Sequence, residues 1–296
     1  MGSLRLEITG VKHIDMNTLI EDINKSLQDL SLGKEKLSEE LIEQFGEDVK
    51  EALRHWSTPR EQKGFTLRVS NIGKPLRKLW FEKRYPSDEP ISSSLSLKFL
   101  YGHLLEHLVL MLVKLSGHTV TDEQKEIELN GIKGHIDCKI DGKVVDVKSA
   151  SKFSFNKFEN DSLSEDDPFG YIAQLSTYEQ AEGTDGGYFL VINKETGELC
   201  TYAPDDFDKP HAPSLINNVT TSLDSDSIPN RCFPTVAEGK KGNQRINKNC
   251  NYCEFKKECY KDSNDGKGLR VFKYAKGPMY LETVVSEPKV EEIYEW

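Results

Sequence analysis

The chain has 296 residues, 30% of them charged, and a net charge of −10. That length buries a substantial core without covalent staples, and the acidic balance argues against a general polyanion binder, whose affinity comes from neutralised phosphates. No uninterrupted apolar run approaches the ~20 residues of a membrane span, and Met1-Gly2-Ser3-Leu4-Arg5 lacks the apolar core of a signal peptide, so the expectation is a cytoplasmic protein with no membrane partner.

Residues 1 to about 57 are acidic and helical in pattern, with Leu41, Phe45, Val49 and Ala52 or Leu53 recurring at helical spacing. Residues 58–90 are basic, punctuated by Pro59, Pro75, Pro86 and Pro90, with Trp80, Phe81 and Tyr85 interleaved. Base mixed with aromatics suits phosphate contact and base stacking, which makes Arg77, Lys78 and Trp80 candidate nucleic-acid-binding residues. The same composition suits a helix and loop whose aromatics enter the core. From an N-cap at Ser94 or Ser96 a helix runs to Leu115 and stops near Gly117, apolar nearly all round and therefore buried. Glu106 lies inside it, and a buried carboxylate is costly unless paired or metal-bound. Metal ligation is preferred to a salt bridge because Gly102, one turn earlier, lets another backbone or a ligand approach that face. His103 and His107 are weaker candidates.

The densest chemistry lies in Gly131–Lys148. Asp141-Gly142 between two alternating runs signals a two-residue type I′ hairpin. Glu126 to Leu129 and an Asn130-Gly131 turn precede it, giving a three-stranded meander. The register sets Cys138 opposite Val145 and Ile136 opposite Val147 on a core face, and Asp137 opposite Asp146 and His135 opposite Lys148 on the other. Facing carboxylates are destabilising unless offset, as by a divalent cation; the plain alternative is a solvated outer face. Residues 151–167 read as a mobile polar loop. A helix follows from about Pro168 to Glu182, with Gln174 and Tyr178 on one face and Gly183 at its end, then a buried strand Tyr188–Ile192 and a strand Glu198 to Tyr202. Strand, crossover helix and strand make a βαβ unit, hence a mixed sheet with helices on its faces. Of six cysteines, three are bunched as Cys250-x2-Cys253-x5-Cys259 with Cys232 upstream, which favours metal or cluster ligation over disulfides.

Gly102-x3-Glu106, Gly134-x2-Asp137, Asp146-Val147-Lys148 and Gln174-x3-Tyr178, in that order on a helix, two strands and a helix, resemble the motif series of the RecB-type branch of the PD-(D/E)XK nucleases. The cysteines further resemble those of its iron–sulfur members, the CRISPR-associated RecB-like exonucleases and related bacteriophage exonucleases. The resemblance covers residues 94–260. It implies an α/β fold, with a nuclease core of mixed β-sheet flanked by helices over 91–205. A helical and basic region over 1–90 precedes it, and a four-cysteine segment over 206–262 and a tail over 263–296 packed on the core follow.

The implied activity is metal-dependent hydrolysis of DNA from free ends, in recombination, repair or phage DNA metabolism, within the host cytoplasm if phage-encoded. An endonuclease of the same fold and a catalytically idle binding subunit are the alternatives, and a homo-oligomer or a recombination or replication protein is an open partner. Glu106, Asp137, Asp146 and the Val147 carbonyl would hold Mg²⁺ or Mn²⁺. Lys148 would position or deprotonate the attacking water or stabilise the phosphorane, and Gln174 and Tyr178 would orient Lys148 or contact phosphates. Cys232, Cys250, Cys253 and Cys259 would hold a 4Fe–4S cluster or, instead, Zn²⁺. Two features depart from the pattern: relatives often carry His where Glu106 stands, and their fourth cysteine precedes the core, whereas here none precedes Cys138.

Overall fold

The computed structural model describes residues 16–58, 64–86 and 91–294. Met1 to Arg5, and Arg60 and Lys63 of the basic stretch, lie outside the described residues. Four helices come first: α1 (Leu19–Ser31), α2 (Glu39–Ser57), α3 (Leu76–Arg84) and α4 (Ser93–Leu115). Ser92, rather than Ser94 or Ser96, caps α4, its hydroxyl accepting the Leu95 N–H. Leu100 apart, the core residues of α4 lie in its C-terminal half. Val109, Leu110, Leu112 and Val113 are buried, while Leu95, Leu97, Phe99 and Tyr101 are exposed because α4 runs past the sheet it packs on. By length and composition α4 reaches the size of a membrane span, which the sequence reading did not expect. Its packing against α1 and the sheet makes it the core helix of this fold.

The next strands are β1 (Val120–Thr121), β2 (Glu126–Leu129), β3 (Ile132–His135), β4 (Cys138–Ile140), β5 (Lys143–Ala150), β6 (Tyr188–Asn193) and β7 (Leu199–Tyr202). A mixed sheet has the order β1-β4-β5-β6-β7, antiparallel except at the β5–β6 pair. That parallel pair needs a crossover, supplied by α5 (Lys152–Glu159) and α6 (Tyr171–Glu182). Alternation along β5 sends Val145 and Val147 into the layer with α1 and α4, and Val144 into the layer with α6. Both faces of the sheet are thus covered, which removes the solvated outer face as a reading of Asp146: this side chain is fully buried.

Asp141 and Gly142 have φ of 48° and 82°, the type I′ turn, and the register Cys138–Val145 and Ile140–Lys143 follows. There the ladder ends. β3 leaves the sheet and pairs with β2 as a separate ribbon, so the three-stranded meander does not form and His135 faces Glu126 rather than Lys148. The Ile136 N–H donates to the Lys125 carbonyl, the Gln124 N–H donates to the Asp137 carbonyl, and Ile136 packs in the α6 layer, opposite to Val147. Those bonds swing the chain away from β5. The ribbon then lies so close to its neighbours that a Cβ on Gly134 would sit 2.7 Å from the Val69 Cβ and 3.2 Å from the Tyr178 ring. Gly134→Ala is therefore expected to cost about 1–3 kcal/mol in urea unfolding, as overpacking does.

The expected mobile loop at 151–167 is largely α5, capped by Ser151 and fastened by buried Phe155 and Phe158. Beyond α7 (Ala212–Asp224), strands β8 (Val236–Glu238), β9 (Asn243–Arg245), β10 (Arg270–Tyr274), β11 (Gly277–Thr283) and β12 (Glu292–Ile293) form an antiparallel sheet of order β12-β10-β11-β9-β8. It joins what a boundary at 262 would divide: Ile246 and Tyr260 from one side bury against Leu269 from the other.

Candidate active site

The departure of β3 opens a wedge beside β5, and the candidate residues line it. Asp137, the first residue not in the ladder, turns back so that its Oδ2 accepts the Val147 N–H at 2.7 Å. In extended backbone the N–H and C=O of one residue point to the same side, so the Val147 carbonyl also faces the wedge. Asp146 lies beneath, and Lys148, two residues on, sets its Nζ 2.5 Å from Asp146 Oδ2. From α4, Glu106 reaches the same region, where Gln124 Nε2 donates to its Oε1 at 2.7 Å. Gln124 thereby fixes two of the acids, Asp137 through its backbone and Glu106 through its side chain. Nothing in the sequence marked it.

Burial raises all three carboxyls. Glu106 is pushed up to about 7, chiefly by burial, with the Asp146 charge adding and the Gln124 bond opposing. Burial, then the Asp146 and Glu106 charges, lifts Asp137 well above the carboxylate range. Asp146 is raised by burial, against the pull of Lys148. For Lys148, burial works toward neutrality, but the charges of Asp146 and Asp137 prevail and keep the ammonium. An acid whose folded pKa lies above its unfolded value contributes stability below the unfolded value and loses it as pH rises to the folded one. For Glu106 that window runs from 4.5 to about 7. In chelator, wild type should lose about 1–3 kcal/mol more than Glu106→Gln across this window, read by denaturation at each pH.

Among the described residues no three His, Cys, Asp or Glu side chains surround a common metal position. Lys148 sets a positive charge among the acids. The donor set nonetheless fits a hard cation. Asp146 Oδ1 is buried with no hydrogen-bond partner among the described residues, and an oxygen that has given up water without a replacement is expensive. Carboxylate and carbonyl oxygens are the ligands Mg²⁺ and Mn²⁺ prefer.

On α6, Gln174 Nε2 donates to the Tyr178 hydroxyl at 3.0 Å, both side chains being buried. The aromatic ring at Lys148 is Tyr171, 4.9 Å from Nζ. Tyr171 stands three residues before Gln174, and that helical spacing is the signal that could have found it. Gly102 meets no close backbone: a Cβ there would find only Ser149 Oγ, at 4.0 Å, so the face stays open.

The basic helix α3 serves the fold. Trp80 is buried, its Nε1 donates to the Ser225 carbonyl at 3.0 Å, and the Arg84 guanidinium covers its ring at 3.9 Å. No face is left for a base, which corrects the stacking role expected of Trp80. Arg77 donates to the Pro229 carbonyl at 2.7 Å and to the Cys259 carbonyl at 3.0 Å, and so ties two segments together. Lys78 stands 3.8 Å from Glu82. Cys232, Cys250, Cys253 and Cys259 all line one cavity of about 450 Å³. Burial raises Cys232, while the backbone N–H groups of Lys78 and Arg77, at the start of α3, bond its sulfur and draw it back toward the thiolate. Burial pushes Cys250 up to about 11. Cys138 lies apart, buried opposite Val145.

No protein-family model and no curated protein matches the chain. Among solved structures, an alkaline exonuclease (LHK-Exo) from Laribacter hongkongensis has 16% identity and a TM-score of 0.36, covering 57% of this chain and 88% of that one. The same exonuclease in complex with dAMP gives 16% identity, a TM-score of 0.32 and coverage of 53% and 83%. A phage-related exonuclease from Haemophilus somnus 129PT has 12% identity and a TM-score of 0.36, covering 54% and 91%. Each likeness spans little more than half of this chain, and the reading below stands on the site itself.

Proposed function

We propose that the chain is a divalent-metal-dependent deoxyribonuclease of the PD-(D/E)XK kind that hydrolyses DNA from free ends. One observation carries the reading: Asp137, Asp146 and Lys148 gather where β3 leaves β5, close enough to Glu106 for the Asp146 charge to act on it, and Asp146 Oδ1 has no hydrogen-bond partner among the described residues. A fold gains nothing from burying such a group unless a ligand completes it. Glu106, Asp137, Asp146 and the Val147 carbonyl would hold the cation. When bound, Mg²⁺ or Mn²⁺ supplies Lewis acidity and a water of lowered pKa. Lys148, kept as the ammonium, offers its charge to a non-bridging phosphate oxygen as negative charge grows there, and Tyr171 limits where Nζ can lie. Gln174 and Tyr178, bonded to each other, hold the α6 wall of the wedge. The preference for ends rests on the resemblance of the four motifs in order. Incubating end-labelled linear duplex, linear single strands and a covalently closed circle with Mg²⁺ or Mn²⁺ should give loss of the linear forms and an intact circle. Cutting of the circle as fast as the linear duplex would make the enzyme an endonuclease.

A further inference from the structure

Basic side chains gather around one cavity of this acidic chain. The cavity that holds the four cysteines is lined by six basic side chains and one carboxylate, Asp166, while Glu82 outside the lining pairs with Lys74 and Lys78. Three aromatic rings open onto it while standing in solvent: Phe153 is 68% exposed, Phe169 59% and Tyr252 96%. Ammonium groups already sit over one of them, Lys157 Nζ at 5.4 Å and Lys248 Nζ at 5.9 Å from the centre of the Phe153 ring. Both lysines also hold Asp166, each at 2.9 Å, a carboxylate in the position a phosphate oxygen would take. Ring contacts lead from this surface to the candidate active site. Phe169 stacks on Tyr171 with centroids 5.4 Å apart and planes at 23°, and Tyr171 lies under Lys148.

We propose that this surface, from Tyr171 across Phe169 to Phe153 and Tyr252, is a track for an unpaired nucleic-acid strand. Bases stack on the exposed rings, and phosphates displace Asp166 from Lys157 and Lys248. Exposed rings beside ammonium groups are the combination that holds a single strand without regard to sequence. A paired duplex hides the base faces that these rings require. The track rests on the proposed function for which bond it presents to Lys148, but its binding needs no cation. It also gives the cysteine segment a part in holding substrate, since Tyr252 lies between Cys250 and Cys253 and Lys248 just before them.

Fluorescence anisotropy of a labelled oligothymidylate with the full chain in chelator tests it. Phe153→Ala, Phe169→Ala and Tyr252→Ala should each bind about tenfold more weakly, and the rings are exposed enough that thermal unfolding should not move. Phe153→Trp should keep the affinity, whereas Phe153→Leu, apolar but unable to stack, should fall with the alanine variant. Binding should weaken steeply with salt, and a blunt duplex of equal length should bind poorly to every form. An oligouridylate held through the same rings would preserve the track and widen its nucleic acid to RNA. Alanine variants that bind the oligothymidylate as wild type does, or a Phe153→Leu that equals Phe153→Trp, would overturn the track. Cleavage by wild type with Mn²⁺ separates the two ideas: ring-dependent binding without cleavage sinks the nuclease reading and keeps the track, and cleavage with ring-independent binding does the reverse.

Discussion

Asp146→Asn and Lys148→Ala should each lower hydrolysis of linear DNA by at least about 100-fold, yet their effects on stability should be opposite in sign. Asp146 is fully buried and its Oδ1 has no hydrogen-bond partner among the described residues, so the amide relieves a buried charge; the Lys148 side chain is 20% exposed and keeps water and the Tyr171 ring. Metal-free Asp146→Asn should therefore be as stable as wild type or more so. Lys148→Ala does the reverse and strands a buried carboxylate without its cation, a loss of about 3 kcal/mol. The loss should depend on pH. Asp146 is already raised, and removing Lys148 raises it further, so the penalty is absent at low pH, where both folded and unfolded states are protonated, and grows as pH climbs to the folded value. Urea unfolding in chelator at pH 5 and pH 8 should show the destabilisation mainly at the higher value. Combining Asp146→Asn with Lys148→Ala should recover stability relative to Lys148→Ala alone, the coupling expected of two groups in contact. A double variant less stable than either single one would remove the buried ion pair from the account.

What the sequence made legible here is short-range chemistry. Asp141-Gly142 and Asn130-Gly131 specify I′ turns because both residues of each tolerate positive φ, and the turn at 141–142 fixes the Cys138–Val145 register whatever lies around it. The parallel pairing of β5 with β6 follows from a helix of crossover length between two apolar strands. What stayed hidden was which partner each piece chooses. Alternation runs unbroken through residues 132–140, so nothing local announces that β3 deserts β5 at Ile136; the swing is made by bonds from Gln124 and to Lys125. That swing creates the wedge in which the acids meet. The fate of Trp80 was equally undetermined. Base mixed with aromatics has one composition on a nucleic-acid surface and another use in a core, and only the Ser225 carbonyl and the Arg84 guanidinium decide between them. In α5, Phe155 and Phe158 are spaced to face the sheet, but the polar residues around them mask the pattern.

With Cys232, Cys250, Cys253 and Cys259 as metal ligands, as the resemblance implies, Cys232→Ser should remove metal as completely as Cys253→Ser, and Arg77→Ala should reduce the metal content although it removes no ligand. The four cysteines line one cavity, and at Cys232 two backbone N–H groups from the first turn of α3 oppose the upward pull of burial on the thiol. A soft cation binds cysteine sulfur by expelling the thiol protons, so retention should weaken as pH falls. Arg77 matters because one guanidinium holds the Pro229 carbonyl, just before Cys232, and the Cys259 carbonyl. Without it the segments carrying two of the four sulfurs lose their common anchor. Protein purified without oxygen should be brown and hold iron with acid-labile sulfide, as thiolate-ligated clusters do; stoichiometric zinc in a colourless protein would keep the four ligands and replace the cluster. Cys138→Val is the control, since Cys138 packs in the α4 layer away from the cavity and should keep full metal content. Full retention in Cys232→Ser with loss in Cys253→Ser would show that the fourth ligand lies elsewhere.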